Sequence, residues 1–143
     1  MRTMLAIIVA GVITALSTLA GAGPLRADHP ILGTWKVTFP DGSCFEVYRF
    51  RASGTTLVTS ADEVSESEFE ISDQPSAGGF YKWDDKIVKD NGKKDCSGEI
   101  MELGHVATNY IRFNPSGNMF LMCEKEDINT CIGPFIRVKG GDA

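Results

Sequence analysis

The chain predicts an all-β fold: an antiparallel up-and-down meander that closes into an eight-stranded barrel. Three observations carry that prediction. Short runs rich in β-branched and aromatic residues alternate apolar and polar positions, as half-buried strands do. Turn segments containing Gly, Pro and Asn separate these runs at short intervals, and no amphipathic helix of ordinary length intervenes. A meander of that many strands leaves two unpaired edges unless it closes on itself.

Residues 1–22 read as an export signal. Arg2 precedes an apolar stretch from Met4 to Leu19 that carries no charge, and Ala20-Gly21-Ala22 offers a small-x-small cleavage site. The stretch falls short of the roughly 20 residues a spanning helix needs and is diluted by Gly11 and by Ser and Thr residues. The mature chain is therefore expected to have no membrane span and to be periplasmic or secreted. Residues 23–30 have no periodic pattern and are expected to form a flexible lead. Residues 31–140 form the barrel domain.

In the first strand Trp35, Val37 and Phe39 alternate with Thr34, Lys36 and Thr38, which gives one apolar and one wettable face. Pro40-Asp41-Gly42 turns the chain into a second strand at 44–50. Ala52-Ser53-Gly54 leads to a β-branched third strand at 55–60. An acidic connection at Asp62-Glu63 precedes a fourth at 68–71, with Phe69 and Ile71 on one face and Glu68 and Glu70 on the other. A loop at 74–79 opens a fifth strand at 80–88. Residues 89–105 are a long excursion in which 99–103 fits either a short strand or a helical turn. Strands at 109–113, 119–123 and 134–138 complete the meander, the first two joined by the turn Asn114-Pro115-Ser116-Gly117.

The formal net charge is −5, and removal of 1–22, which carry Arg2 and no carboxylate, makes it one unit more negative. A nucleic-acid partner is disfavoured, because phosphate binding needs a basic surface. Cys44, Cys96, Cys123 and Cys131 all lie in the mature part, and an even number in an exported chain favours two disulfides. Cys123 with Cys131, closing a short hairpin loop, and Cys44 with Cys96 is the favoured pairing. Cys44 with Cys131 competes, since the first and last strands meet in a closed barrel. In an eight-strand meander all four cysteines flank the odd-numbered connections, which places both bridges at one rim unless 99–103 is a ninth strand. No Cys-x-x-Cys occurs, and neither His29 nor His105 adjoins a cysteine, so no metal site and no cofactor are expected.

Gly33-x-Trp35 on the first strand, the meander of short strands and Arg137 on the last strand together resemble the calycin superfamily, in particular small bacterial exported lipocalin-like proteins. The resemblance implies that Trp35 packs across the closed end of the barrel with the Arg137 side chain lying over it, a structural plug held by a cation–π contact worth roughly 0.5–2 kcal/mol. It also implies a binder. The chain departs from lipocalins in its short length and in lacking the C-terminal helix that packs outside their barrel.

Arg49, Arg112 and Arg137 each fall inside a strand, with Tyr48, Tyr110 and Trp83 as neighbours on candidate walls. An inward Arg beside Tyr clamps an anionic group between apolar walls. Tyr48, Tyr110 and Arg112 are accordingly the candidate ligand-binding residues, and the ligand is expected to be small and apolar or amphipathic, an anionic one included. Glu63, Glu66, Glu68 and Glu70 read as a solvated outer face. No Gly-x-Ser-x-Gly elbow, His-Glu-x-x-His or phosphate loop is present, so no catalytic residues are assigned and the chain is not expected to be an enzyme. The alternative function is a protein-interaction module of the cell envelope, for example a hydrolase inhibitor, acting through rim loops stiffened by the disulfides.

Overall fold

The computed structural model describes residues 25–140; the export signal read at 1–22 lies outside them. Eight strands follow one another: β1 (Gly33–Thr38), β2 (Phe45–Arg51), β3 (Thr55–Ser60), β4 (Glu63–Ile71), β5 (Tyr81–Asp90), β6 (Val106–Phe113), β7 (Met119–Cys123) and β8 (Cys131–Arg137). Each pairs antiparallel with the next, and β8 returns to β1 through Trp35 opposite Arg137 and Lys36 opposite Ile136. The protein is thus an all-β, closed, eight-stranded antiparallel meander, with the seam made by the shortest ladder.

Strand β4 starts at Glu63, well before the apolar pair Phe69 and Ile71 that marks it in the sequence. Its first half is Glu-Val-Ser-Glu-Ser, whose inward positions are polar, so the hydrophobic alternation that flags a strand is absent there. Residues 99–103 form neither strand nor helix. With eight strands, the β1–β2, β3–β4, β5–β6 and β7–β8 connections share one end of the barrel. The bridges are Cys44–Cys96 and Cys123–Cys131, both at that rim. Cys44–Cys96 ties the 91–105 excursion to the β1–β2 connection, and the Cys96 N–H donates to Ser60 Oγ at 2.9 Å.

The opposite end is dry and aromatic. Trp35 meets Phe120 edge-on at 4.7 Å, Phe120 stacks on Phe135 at 4.6 Å, and Phe50 contacts both Phe69 at 5.4 Å and Trp83 at 5.6 Å. Trp35, Phe50 and Phe135 are wholly buried. The Arg137 guanidinium lies 4.1 Å over the Trp35 ring. It donates to the Leu32 and Pro30 carbonyls at 2.7 Å each, and Trp35 Nε1 donates to the Ile31 carbonyl at 2.7 Å. Gly33 is required here: its φ is +116°, and a Cβ would stand 2.9 Å from Arg137 Nη1.

The segment read as a flexible lead contributes to this end. His29 is 2% exposed, and its Nδ1 accepts from the Ile31 N–H at 3.2 Å. Nε2 therefore carries the proton and donates to the Ser72 carbonyl at 3.1 Å. Burial holds the His29 pKa below the ordinary histidine value, so the ring is neutral at pH 7.

Candidate functional site

The lumen changes character along its axis. Strand parity decides it: in β2 Glu46, Tyr48 and Phe50 share a face, in β4 Glu63, Ser65, Ser67 and Phe69 do, and in β5 Trp83, Asp85 and Ile87 do. Phe50 and Phe69 fall in the aromatic plug, so the polar members of the same rows face the lumen toward the disulfide rim. They surround a cavity of about 170 Å³, with Val58, Ile87, Ala107 and Met122 as apolar wall and Asp95 and Met101 of the excursion across its mouth. Among the described residues, no Lys, Arg or His lines it.

The carboxylates of this cavity differ in how well they are satisfied. Each Glu46 oxygen has a donor: Oε1 accepts from Ser60 at 2.7 Å and Oε2 from the Tyr48 hydroxyl at 2.8 Å. Burial, with the Glu46 charge next, drives the Tyr48 pKa well above the usual phenol value, so Tyr48 stays a donor. Glu63 is 3% exposed, and its pKa is pushed up to about 7 first by burial and then by a hydrogen bond with the Asp90 carboxyl. One oxygen of each of these two acids, Glu63 Oε1 and Asp90 Oδ2, is buried and meets no other donor among the described residues. Burial raises Asp85 to about 6 against an opposing bond from Ser67, and its Oδ1 has no donor. The indole N–H of Trp83, a residue 4% exposed, has no acceptor among the described residues.

The three residues expected to bind ligand do not converge. Tyr48 lines the cavity, but Tyr110 and Arg112 leave β6 on its outer face because Ile111, wholly buried, and Phe113 take the inward positions. The Arg112 guanidinium lies 5.3 Å over the Phe80 ring outside the lumen. An anion clamp built from Arg112 therefore has no place in the barrel interior. Glu63, read as part of a solvated acidic face, points inward, while Glu68 and Glu70 are exposed. The signal that locates it is its even spacing from Phe69 and Ile71; the same spacing links Asp85 to Trp83 and Glu46 to Phe50.

Chemically the cavity offers acceptor oxygens, the buried and unpartnered N–H of Trp83, the side-chain amide of Asn109 and apolar wall. Among the described residues no group of three His, Cys, Asp or Glu is placed to hold a metal ion, and no helix is long and apolar enough to cross a membrane. No protein-family model, curated protein or solved structure matches the chain.

Proposed function

We propose that this chain is an exported calycin-like binding protein, not an enzyme, and that its lumen holds one small ligand. The observation that carries the reading is the cavity of about 170 Å³ bordered by buried polar atoms without partners, Trp83 Nε1 and Asp85 Oδ1. Leaving such a group unmatched costs about 1–3 kcal/mol, a cost that a bound molecule removes. A cavity of roughly this size admits a single six-membered ring. The closed meander and the Arg137–Trp35 contact support the calycin likeness, and two disulfides are consistent with an oxidising, exported location.

The test is a thermal-shift screen of molecules of up to about ten non-hydrogen atoms, run on the protein and on Ala107→Leu, which fills the cavity from the β6 position paired with Asp85. Ligands of the lumen raise the melting temperature of the parent and not of the variant. A screen in which no compound separates the two overturns the reading.

A second reading, the interaction module, is favoured by one feature. Phe45, Ile132, Ile136 and Val138 are 51%, 62%, 43% and 39% exposed along and beside the closing seam. Capture of an envelope protein that Ile132→Lys and Ile136→Lys abolish, alongside a negative screen, would favour that reading.

A further inference from the structure

We infer that the lumen recognises a small organic ammonium ion that also carries a hydrogen-bond acceptor. This rests on the lumen-binding reading above and names the ligand class. Three independent features of the cavity lead there.

The first is the sign of the lining. Glu46, Glu63, Asp85 and Asp95 border the cavity, and no cationic side chain among the described residues does. Positive groups elsewhere are held outside: Arg112 lies over Phe80, Lys36 over Phe45, and Arg137 is committed to the plug. A carboxylate placed in a narrow, half-apolar lumen without a counter-ion stabilises an entering cation far more than it would at a surface, because less water screens the pair. An anionic ligand meets only repulsion there.

The second is the unmatched donor. Trp83 lines the cavity, is 4% exposed, and its indole N–H meets no acceptor among the described residues. An ammonium group has no lone pair to offer it. The ligand must therefore bring an oxygen or a comparable acceptor as well as its charge.

The third is the division of labour among the acids. Glu46 already accepts from Tyr48 and Ser60, and Glu63 is engaged with Asp90. Among these acids Asp85 alone presents a buried oxygen, Oδ1, with neither a donor nor a carboxyl partner among the described residues. Asp85 is the residue that receives the ammonium group, beside its register partner Ala107 on the neighbouring strand β6. Trp83, two positions earlier on the same face, supplies both the N–H and an aromatic surface of the kind that attracts cations. Keeping Asp85 ionised works against the fold, since burial favours its protonated form. An acid retained against that cost in a cavity fits a role in binding.

The experiment is isothermal titration at pH 8 with three probes of one shape: tyramine, neutral 4-ethylphenol and anionic 3-(4-hydroxyphenyl)propionate. Tyramine is expected to bind with one-site stoichiometry, the phenol at least tenfold more weakly and the propionate not at all. Asp85→Asn should weaken tyramine at least tenfold while unfolding no earlier than the parent, and Trp83→Phe should weaken it severalfold. If 4-ethylphenol binds as tightly as tyramine and Ala107→Leu abolishes both, the ammonium assignment is wrong and the lumen-binding reading stands. If none of the three binds, the assignment is overturned, and the broader screen against Ala107→Leu decides the lumen reading separately.

Discussion

Asp85→Asn should stabilise the protein, and by an amount that depends on pH. The folded barrel raises the Asp85 pKa from 3.8 to about 6, chiefly through burial. Between those two pH values the unfolded chain has released the proton that the folded chain still holds. Stability therefore falls as pH rises across this interval and levels off above it. A step from 3.8 to about 6, at 1.36 kcal/mol per pH unit, amounts to about 3 kcal/mol as an upper bound. Asparagine has the same shape, can take the bond from Ser67, and does not titrate. The difference in unfolding free energy between variant and parent should thus be near zero at pH 4 and approach about 3 kcal/mol in favour of the variant by pH 7. Glu63, raised to about 7, titrates in both proteins, so its contribution cancels in the difference. Urea unfolding followed by tryptophan fluorescence reports the transition, since both Trp35 and Trp83 are buried. A difference that does not change with pH would refute the argument. So would a variant less stable than the parent at pH 8, which would mean that the Asp85 charge is compensated within the fold.

At the closed end, Trp35→Phe and Arg137→Met should both destabilise, and the double variant should lose less than the sum of the two because one contact is counted twice; strict additivity in urea unfolding would show that the two side chains act separately. Removing Cys44–Cys96, which spans 52 residues, should cost about 4 kcal/mol against about 2.5 kcal/mol for Cys123–Cys131, which spans 8. Paired Cys→Ala variants in denaturant titrations check that order, and a larger loss from the short bridge would show that chain entropy is not the governing effect.

The meander, its closure and the disulfide-bearing rim were legible in the sequence because they follow from local patterns. Alternation marks a strand, Gly and Pro mark turns, and counting strands assigns each connection to an end. The plug of Trp35 and Arg137 was legible only through the resemblance that Gly33-x-Trp35 carries, not from a local pattern. The lumen was not legible in the same way. Each strand declares that it has two faces, but which face is inward depends on the register of its neighbours, and β2 mixes apolar and polar residues on both. Arg112 and Tyr110 share a strand with Ile111 and Phe113, and closure of the barrel gave the inward positions to the apolar pair. Glu63 sits in a run of acids that looks solvated until β4 is extended far enough to count from Phe69 back to it. The meeting of Glu46 from β2, Glu63 from β4 and Asp85 from β5 around one cavity joins residues distant in the chain. Curling the sheet into a barrel brings those rows face to face, and only there does burial separate an acid with a donor on each oxygen from one left waiting for a partner.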